Sequence, residues 1–367
     1  MPDTAASEFH PERSVPTISI PVTRTANSRF SEALRDTSTF GAVFTDHILV
    51  CDYADGSWGL PAIVPYQDLP LVPGPLVAHY GQGIFEGLKA YPREGSGAVV
   101  FRPDANHRRM RESCRRMAMP EVPADLFIDG IRTLVAVDRN WLPIIPGGTL
   151  YIRPVMFATG DALGVRPSDR YRFLIELCPV GAYFPGAVDL IAEETYVRAF
   201  PGGTGAAKCA GNYAGSLVAQ REAQARGFHN VLWLDGIERR WVEEAGLMNI
   251  AFVIDGTVVT PALNGSILPG VTRDSVLTLL RDAGIPVDER RISIDEVFDA
   301  HEAGTLEGAA GLGTAATVAP IGRLRHREHE ITLPSLPPGS PLARAAQQLD
   351  AVRTGTAPDV HGWLCEV

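Results

Sequence analysis

Only two of the 33 basic side chains are lysines, Lys89 and Lys208. Chemistry that needs a side-chain amine, such as Schiff-base formation with a carbonyl compound, falls to one of them. Lys208 lies in the stretch Gly202-Gly203-Thr204-Gly205-Ala206-Ala207-Lys208-Cys209-Ala210-Gly211-Asn212-Tyr213. Its neighbours are small and uncharged, and burial among them lowers an ammonium's pKa and frees the amine for attack. The plainer alternative is a surface lysine at a helix start, where the helix dipole disfavours a cation. Tyr213, five residues on, offers either a phenol beside the amine or a core ring. Ser266-Ile267-Leu268-Pro269-Gly270-Val271-Thr272-Arg273-Asp274 runs through a glycine turn into a helix. Free N–H groups and the Thr272 hydroxyl at that start suit a phosphate, though such a start is also simply a capped helix. Glu243-Glu244 precedes Ala245-Gly246, and on an extended chain one carboxylate can be buried while the other is solvated. Gly311-Leu312-Gly313-Thr314-Ala315-Ala316 is a small-residue turn able to bind an anion.

These groups need elements to hold them. The spacing predicts strands at Ala42–Val50, Pro61–Val64, Ala98–Phe101, Thr149–Phe157 and Arg172–Leu177. It predicts helices at Pro103–Met117 and Ile128–Leu142. After a Gly/Pro-rich connector at Gly181–Glu194, Thr195–Phe200 reads as a strand and Gly211–Arg226 as one helix closed by Gly227. Ile250–Ile254 and Thr257–Thr260 form a hairpin over Asp255-Gly256. Helices at Thr272–Arg281 and Leu342–Val352 flank β-type segments at Ile285–Ile292 and Gly311–Ile321. Residues 1–40 read as a polar arm with a short helix around Arg29–Arg35. The sum is an α+β chain in two unequal halves.

Composition narrows the class. At roughly 100–200 residues per domain, 367 residues make two or three domains, with ample core to fold without staples. A net charge of −10 argues against a general nucleic-acid binder. No apolar run approaches the ~20 residues of a membrane span, and the start carries no secretory pattern. Cys51, Cys114, Cys178, Cys209 and Cys365 are scattered and odd in number, which suits reduced thiols in a cytoplasmic protein and no metal site.

An amine, a phenol, a phosphate cradle and a ring-nitrogen acid are the set that a pyridoxal phosphate enzyme uses. From about Tyr80 to Leu364 the chain resembles the branched-chain amino acid aminotransferases, fold type IV enzymes of that cofactor. The resemblance rests on Gly87-Leu88-Lys89-Ala90-Tyr91, Cys178-Pro179-Val180-Gly181-Ala182-Tyr183-Phe184, the Lys208-to-Tyr213 stretch, Glu244 ahead of Met248-Asn249, and Gly313-Thr314-Ala315. It implies a small N-terminal α/β domain over 1–183, an interdomain loop over 184–197, and a large domain with a β-barrel-like core over 198–367. It implies that Lys208 is the catalytic Schiff-base lysine, that Tyr213 bonds the ring oxygen and that Glu244 holds the pyridine nitrogen. Arg102, Leu268, Val271, Thr272 and Thr314 would complete the cofactor site. Tyr80, Phe85, Tyr151 and Arg153 would line the substrate pocket, with Thr314 and Ala315 on the α-carboxylate. Lys89 would have no catalytic role. A homodimer acting on small amino and keto acids, with 2-oxoglutarate as partner and ping-pong kinetics, is the expectation.

The chain departs from that pattern at the site. Leu247 stands where a small residue is usual, and Leu312 where Ser or Cys is usual. Gly308-Ala309-Ala310 lacks the usual aromatic, and the connector after Phe184 is short. Either these are neutral drift, or the enzyme is retuned for another keto acid. Two further readings are a pyridoxal phosphate lyase and a non-catalytic binder of the cofactor.

Overall fold

The computed structural model describes residues 18–37, 39–93, 97–181, 186–315 and 317–367. The first part of the polar arm, the end of the Cys178-to-Phe184 phrase and Ala316 lie outside them. Two nine-stranded sheets organise the chain. In the first, the path runs Leu364–Glu366, Ala98–Phe101, Leu88–Pro92, Thr149–Ala158, Tyr171–Val180, His47–Ala54 and Ser57–Trp58. Gly83–Phe85 joins at Thr149–Ala158, and Ala62–Pro65 at His47–Ala54. One face is covered by helices Pro103–Arg116 and Ala124–Val137, through a core that includes Leu88, Ala90, Met110, Phe127 and Ile152. Period-2 alternation sends the next residues to the other face. There Tyr91, Val99 and Phe101 pack with Ala251, Val253 and Leu277 of the second half.

The second sheet runs Val242–Ala245, Asn230–Leu234, Val188–Glu193, Thr317–His326, Leu306–Gly313, Asn249–Ile254, Thr257–Pro261 and Val287–Arg290. Leu190, Leu232, Phe252, Ile292 and Ile321 are among the residues of its core. The hairpin over Asp255-Gly256 forms as read, with both turn residues at positive φ.

Several expectations need correction. The strand expected at Thr195–Phe200 lies earlier, at Val188–Glu193, inside the segment 184–197 read as a loop. The chain turns after it because Glu193 Oε1 accepts the N–H groups of Thr195 (2.6 Å) and Tyr196 (2.8 Å). The last strand, Leu364–Glu366, pairs with Ala98–Phe101, so the end of the segment 198–367 returns to the first sheet. The single helix expected at Gly211–Arg226 is two, Ala210–Ala214 and Leu217–Ala225. The Ser216 hydroxyl bonds back to the Tyr213 carbonyl (2.7 Å) at the break. Helix Ile294–Glu302 has no counterpart in the sequence reading, although Ser293 caps it by accepting from Glu296 N. Among the described residues no helix is long and apolar enough to cross a membrane.

Candidate active site

Lys208 lies where the two halves meet. Its carbonyl accepts the Phe85 N–H (3.0 Å), and its own N–H donates to Ser113 Oγ (2.9 Å). Thus strand Gly83–Phe85 and helix Pro103–Arg116 fix the lysine backbone from the first half. The preceding loop is set by Asn212, whose amide donates to the carbonyls of Thr204 and Ala207 (both 2.8 Å). Gly205 is required there, since a Cβ would lie 2.0 Å from the Ser266 carbonyl oxygen. Lys208 Nζ donates to the Tyr213 hydroxyl at 2.7 Å, and the Phe85 ring stacks obliquely on Tyr213 at 4.6 Å. Burial pulls the Lys208 ammonium down to about 8, and Arg109 pushes the same way while Glu86 opposes it. Burial and the Glu244 charge hold the Tyr213 phenol well above its usual range.

Glu244 belongs to strand Val242–Ala245 and is 4% exposed. Its Oε1 accepts the Leu268 N–H (2.7 Å), and its Oε2 is 3.2 Å from Arg198 Nε. Burial raises its pKa and Arg198 works against that rise. Glu243 is buried as well, bonded by Asn264 and Ser266, so neither acid of the pair is solvated.

Helix Val271–Asp282 opens after Gly270 with no side-chain cap, which leaves first-turn N–H groups for a ligand. A small cavity of about 40 Å³ at this end is lined by Arg109, Lys208, Glu244, Val271, Thr272 and Thr314, among others. Leu268 and Leu312 also face it. Gly270 has no room for a Cβ, because Asn249 Oδ1 would be 2.0 Å away. Arg102 is not in this cavity. It caps helix Pro103–Arg116 with φ of 49°, and its guanidinium is taken by Asp274 (2.7 Å), Ser275 (2.8 Å) and the Trp363 ring. The arginine in the cavity is Arg109, seven residues later. Its Nε and Nη2 donate to Glu86 (2.8 and 2.7 Å), and its Nη1 donates to the Pro269 carbonyl (3.1 Å). The sequence reading missed it because its signal is not local. Asn106, Arg109, Met110 and Ser113 share one buried helix face, and an arginine buried there must have a partner.

A larger cavity of about 570 Å³ opens beside Lys208. Phe85, Tyr151, Arg153, Phe40 and Leu247 line it, with Thr314 and Ala315 at one side. Gly87 lets Tyr151 come in, since a Cβ would meet its hydroxyl at 2.0 Å. Arg153 lies over the rings of Phe85 and Tyr151 at 4.6 and 5.3 Å. Tyr80 does not line this cavity. Its ring is 43% exposed, and its hydroxyl donates to the Leu163 carbonyl. The structure thus gathers Lys208, Tyr213, Glu244, Leu268, Val271, Thr272, Thr314, Ala315, Phe85, Tyr151 and Arg153, and leaves Arg102 and Tyr80 outside.

Residues 83–321 match the family described as amino-transferase class IV. Branched-chain-amino-acid aminotransferase 2 of Bacillus subtilis (strain 168) is 46% identical over 333 residues, covering 90% of this chain and 92% of that one. The chain belongs to the class IV aminotransferases, among the branched-chain-amino-acid aminotransferases. The Mycolicibacterium smegmatis branched-chain-amino-acid aminotransferase is 44% identical over 354 residues, 94% of this chain and 96% of that one. The Escherichia coli branched-chain amino acid aminotransferase superposes with a TM-score of 0.71 at 27% identity, over 87% of this chain and 98% of that one. The T.th. branched-chain amino acid aminotransferase complexed with N-(5'-phosphopyridoxyl)-L-glutamate gives 0.68 at 27% identity, over 86% and 97%. This class IV aminotransferase is a transaminase with the fold type IV architecture.

Proposed function

We propose that this transaminase moves an amino group between a branched-chain or related hydrophobic L-amino acid and 2-oxoglutarate, using pyridoxal 5'-phosphate, with ping-pong kinetics. The observation that carries the proposal is the 2.7 Å contact of Lys208 with Tyr213 at the base of a cavity walled by Phe40, Phe85, Tyr151 and Leu247. The donor set fits the cofactor. An amine with a lowered pKa, a protonated phenol, a buried carboxylate and an uncapped helix start beside Arg109 match its aldehyde, ring oxygen, ring nitrogen and phosphate. When bound, the cofactor supplies an electrophilic carbonyl and an electron-accepting ring.

Each residue then has a task. Lys208 Nζ would hold the cofactor's aldehyde carbon and would move the proton at the substrate Cα. Tyr213 donates to the ring oxygen, and Glu244 holds a proton on the ring nitrogen. Arg109 and the helix start at Val271 and Thr272 hold the phosphate. The apolar wall takes the alkyl side chain and excludes water. Arg153 takes the distal carboxylate of glutamate, and Thr314 with Ala315 takes the α-carboxylate. We further place the enzyme in the cytoplasm as a homodimer. Free cysteines at all five positions support a reducing compartment, and the exposed Tyr80, Leu163 and Val165 support a covered surface.

A panel of keto acids with glutamate as donor tests the substrate. Fast turnover of the leucine, isoleucine and valine keto acids is the expected result; turnover of none of them defeats it. Leu247 favours one second reading, an aminotransferase retuned for another keto acid, because it reaches the cavity beside Lys208. That reading expects another keto acid to exceed all three.

A further inference from the structure

Two buried cations that the proposed chemistry does not use hold the turn carrying Thr314 and Ala315. We propose that Lys89 and Arg353 are positioning residues that pre-shape the Gly313–Thr314–Ala315 turn for the α-carboxylate of both substrates. The proposal rests on the aminotransferase reading above and on that turn as the carboxylate site.

Lys89 sits in strand Leu88–Pro92, in register with Tyr151, so both side chains leave the sheet on its cavity face. The long side chain does not run to solvent, as a lysine normally does, but is 7% exposed. It crosses to the second half, where Nζ donates to the Ala315 carbonyl at 2.8 Å. Among the described residues, no carboxylate lies within ion-pair distance of it. Burial pulls its ammonium down to about 8, helped by Arg353 and opposed by Asp350. A charge this poorly solvated concentrates its interaction on the acceptor it has, which is a backbone atom of the turn.

Arg353 reaches the other limb. It belongs to helix Pro341–Thr354 and is 2% exposed, with its guanidinium over the rings of Phe101 (4.4 Å) and Tyr91 (5.4 Å). Its Nη1 donates to Thr317 Oγ1 at 3.1 Å. Thr317 has φ of 61°, a left-handed conformation that is a real outlier for a β-branched residue. Such a conformation persists where its surroundings over-determine it. Gly313 and Thr317 pair across the turn, so the chain enters and leaves at a fixed point. Lys89 holds Ala315 from the first half of the molecule, and Arg353 holds Thr317 from the second. A turn so held meets a carboxylate with its shape already set, which lowers the ordering cost of binding.

The test uses the holoenzyme and 4-methylvalerate, a branched carboxylate without an amine. Its dissociation constant is read from the change in cofactor absorbance, beside KM and kcat for glutamate and a keto acid. Lys89→Met is expected to raise that Kd and both KM values about tenfold, the loss of one charged hydrogen bond, with kcat within about twofold and cofactor content unchanged. Lys89→Arg, which keeps a charged donor, is expected to restore most of the affinity. An unchanged Kd in Lys89→Met overturns the proposal. So does a fall in thermal stability without a KM change, or no rescue by Lys89→Arg. Should Lys89→Met not accumulate folded, Lys89→Gln is judged by the same Kd. An unmodified enzyme that fails to react with glutamate would defeat the aminotransferase reading; normal 4-methylvalerate binding by Lys89→Met defeats only the clamp.

Discussion

Glu86→Gln isolates what keeps Arg109 in the cavity. Glu86 is fully buried and accepts from Arg109 Nε (2.8 Å), Arg109 Nη2 (2.7 Å) and Asn106 Nδ2 (2.7 Å). Glutamine keeps the shape and removes the charge. Arg109 is 7% exposed and cannot shed its proton, so it becomes an unpaired buried cation. Breaking a buried pair from one side costs about 3–5 kcal/mol. The expected result is a urea midpoint of the cofactor-free protein lowered to match that loss, at pH 7. Removing both charges, as in Glu86→Leu with Arg109→Met, should cost less than Glu86→Gln alone. The pH dependence has a definite sign. Burial opposes ionisation of Glu86, but Arg109 prevails and holds its pKa below the usual carboxylate value. The stabilisation is therefore full above about 4.5 and is lost as pH falls through the depressed folded value. Glu86→Gln should lack that acid limb. A loss under about 1 kcal/mol, or a double variant weaker than the single one, would refute the reasoning.

Lys89 shares a lowered ammonium but is spent on the Ala315 carbonyl and does not line the large cavity, so Lys208, which does, should be the amine labelled in the cofactor-free protein. With a pKa of about 8, roughly one amine in ten is neutral at pH 7, against about one in 3,000 for an ordinary lysine. Reductive trapping with a small aldehyde should label it about 300-fold faster than a free lysine, with a rate that levels above pH 8. A rate still climbing at pH 10, or a label mapped to Lys89, would contradict this. Leu247→Thr should shift kcat/KM toward bulkier branched keto acids by about tenfold, since Leu247 narrows the large cavity; an unchanged ratio assigns the preference elsewhere.

How much the sequence revealed depended on how locally each signal was written. Lys208 stands two residues before the short helix Ala210–Ala214 that carries Tyr213, so five residues of spacing were enough to bring them within 2.7 Å. The helix start at Val271 was legible for the same reason, as glycine and threonine bracket it. Arg109 was not legible, because its role follows from helix phase and from Glu86, 23 positions away. The resemblance pointed to Arg102 instead, which the Asp274 carboxylate and the Trp363 ring divert from the cavity. Strand Val188–Glu193 was hidden by the Pro185-Gly186 connector just before it, since prolines and glycines signal a loop but not its length.

The two leucine departures look alike in sequence, yet the fold gives them different consequences. Leu312 is 1% exposed, opposite Asn249 and Val318 in the sheet, and joins the core of Ala251, Val253 and Val276. Ala310, two residues earlier, points to the same face and sits in the same core. Bulk added at Leu312 is therefore offset where Ala310 lacks it, as a volume-conserving exchange within one packed layer. Gly311 faces the other way, where a Cβ would strike the Met248 side chain at 2.5 Å, so that side of the strand had no room to give. Leu312 lines the small phosphate-side cavity, whereas Leu247 is 53% exposed and lines both that cavity and the large one beside Lys208. An exchange absorbed in the core leaves a substrate's side chain untouched; one at the cavity wall does not. Any shift in substrate preference should therefore travel with Leu247 and leave Leu312 a matter of packing.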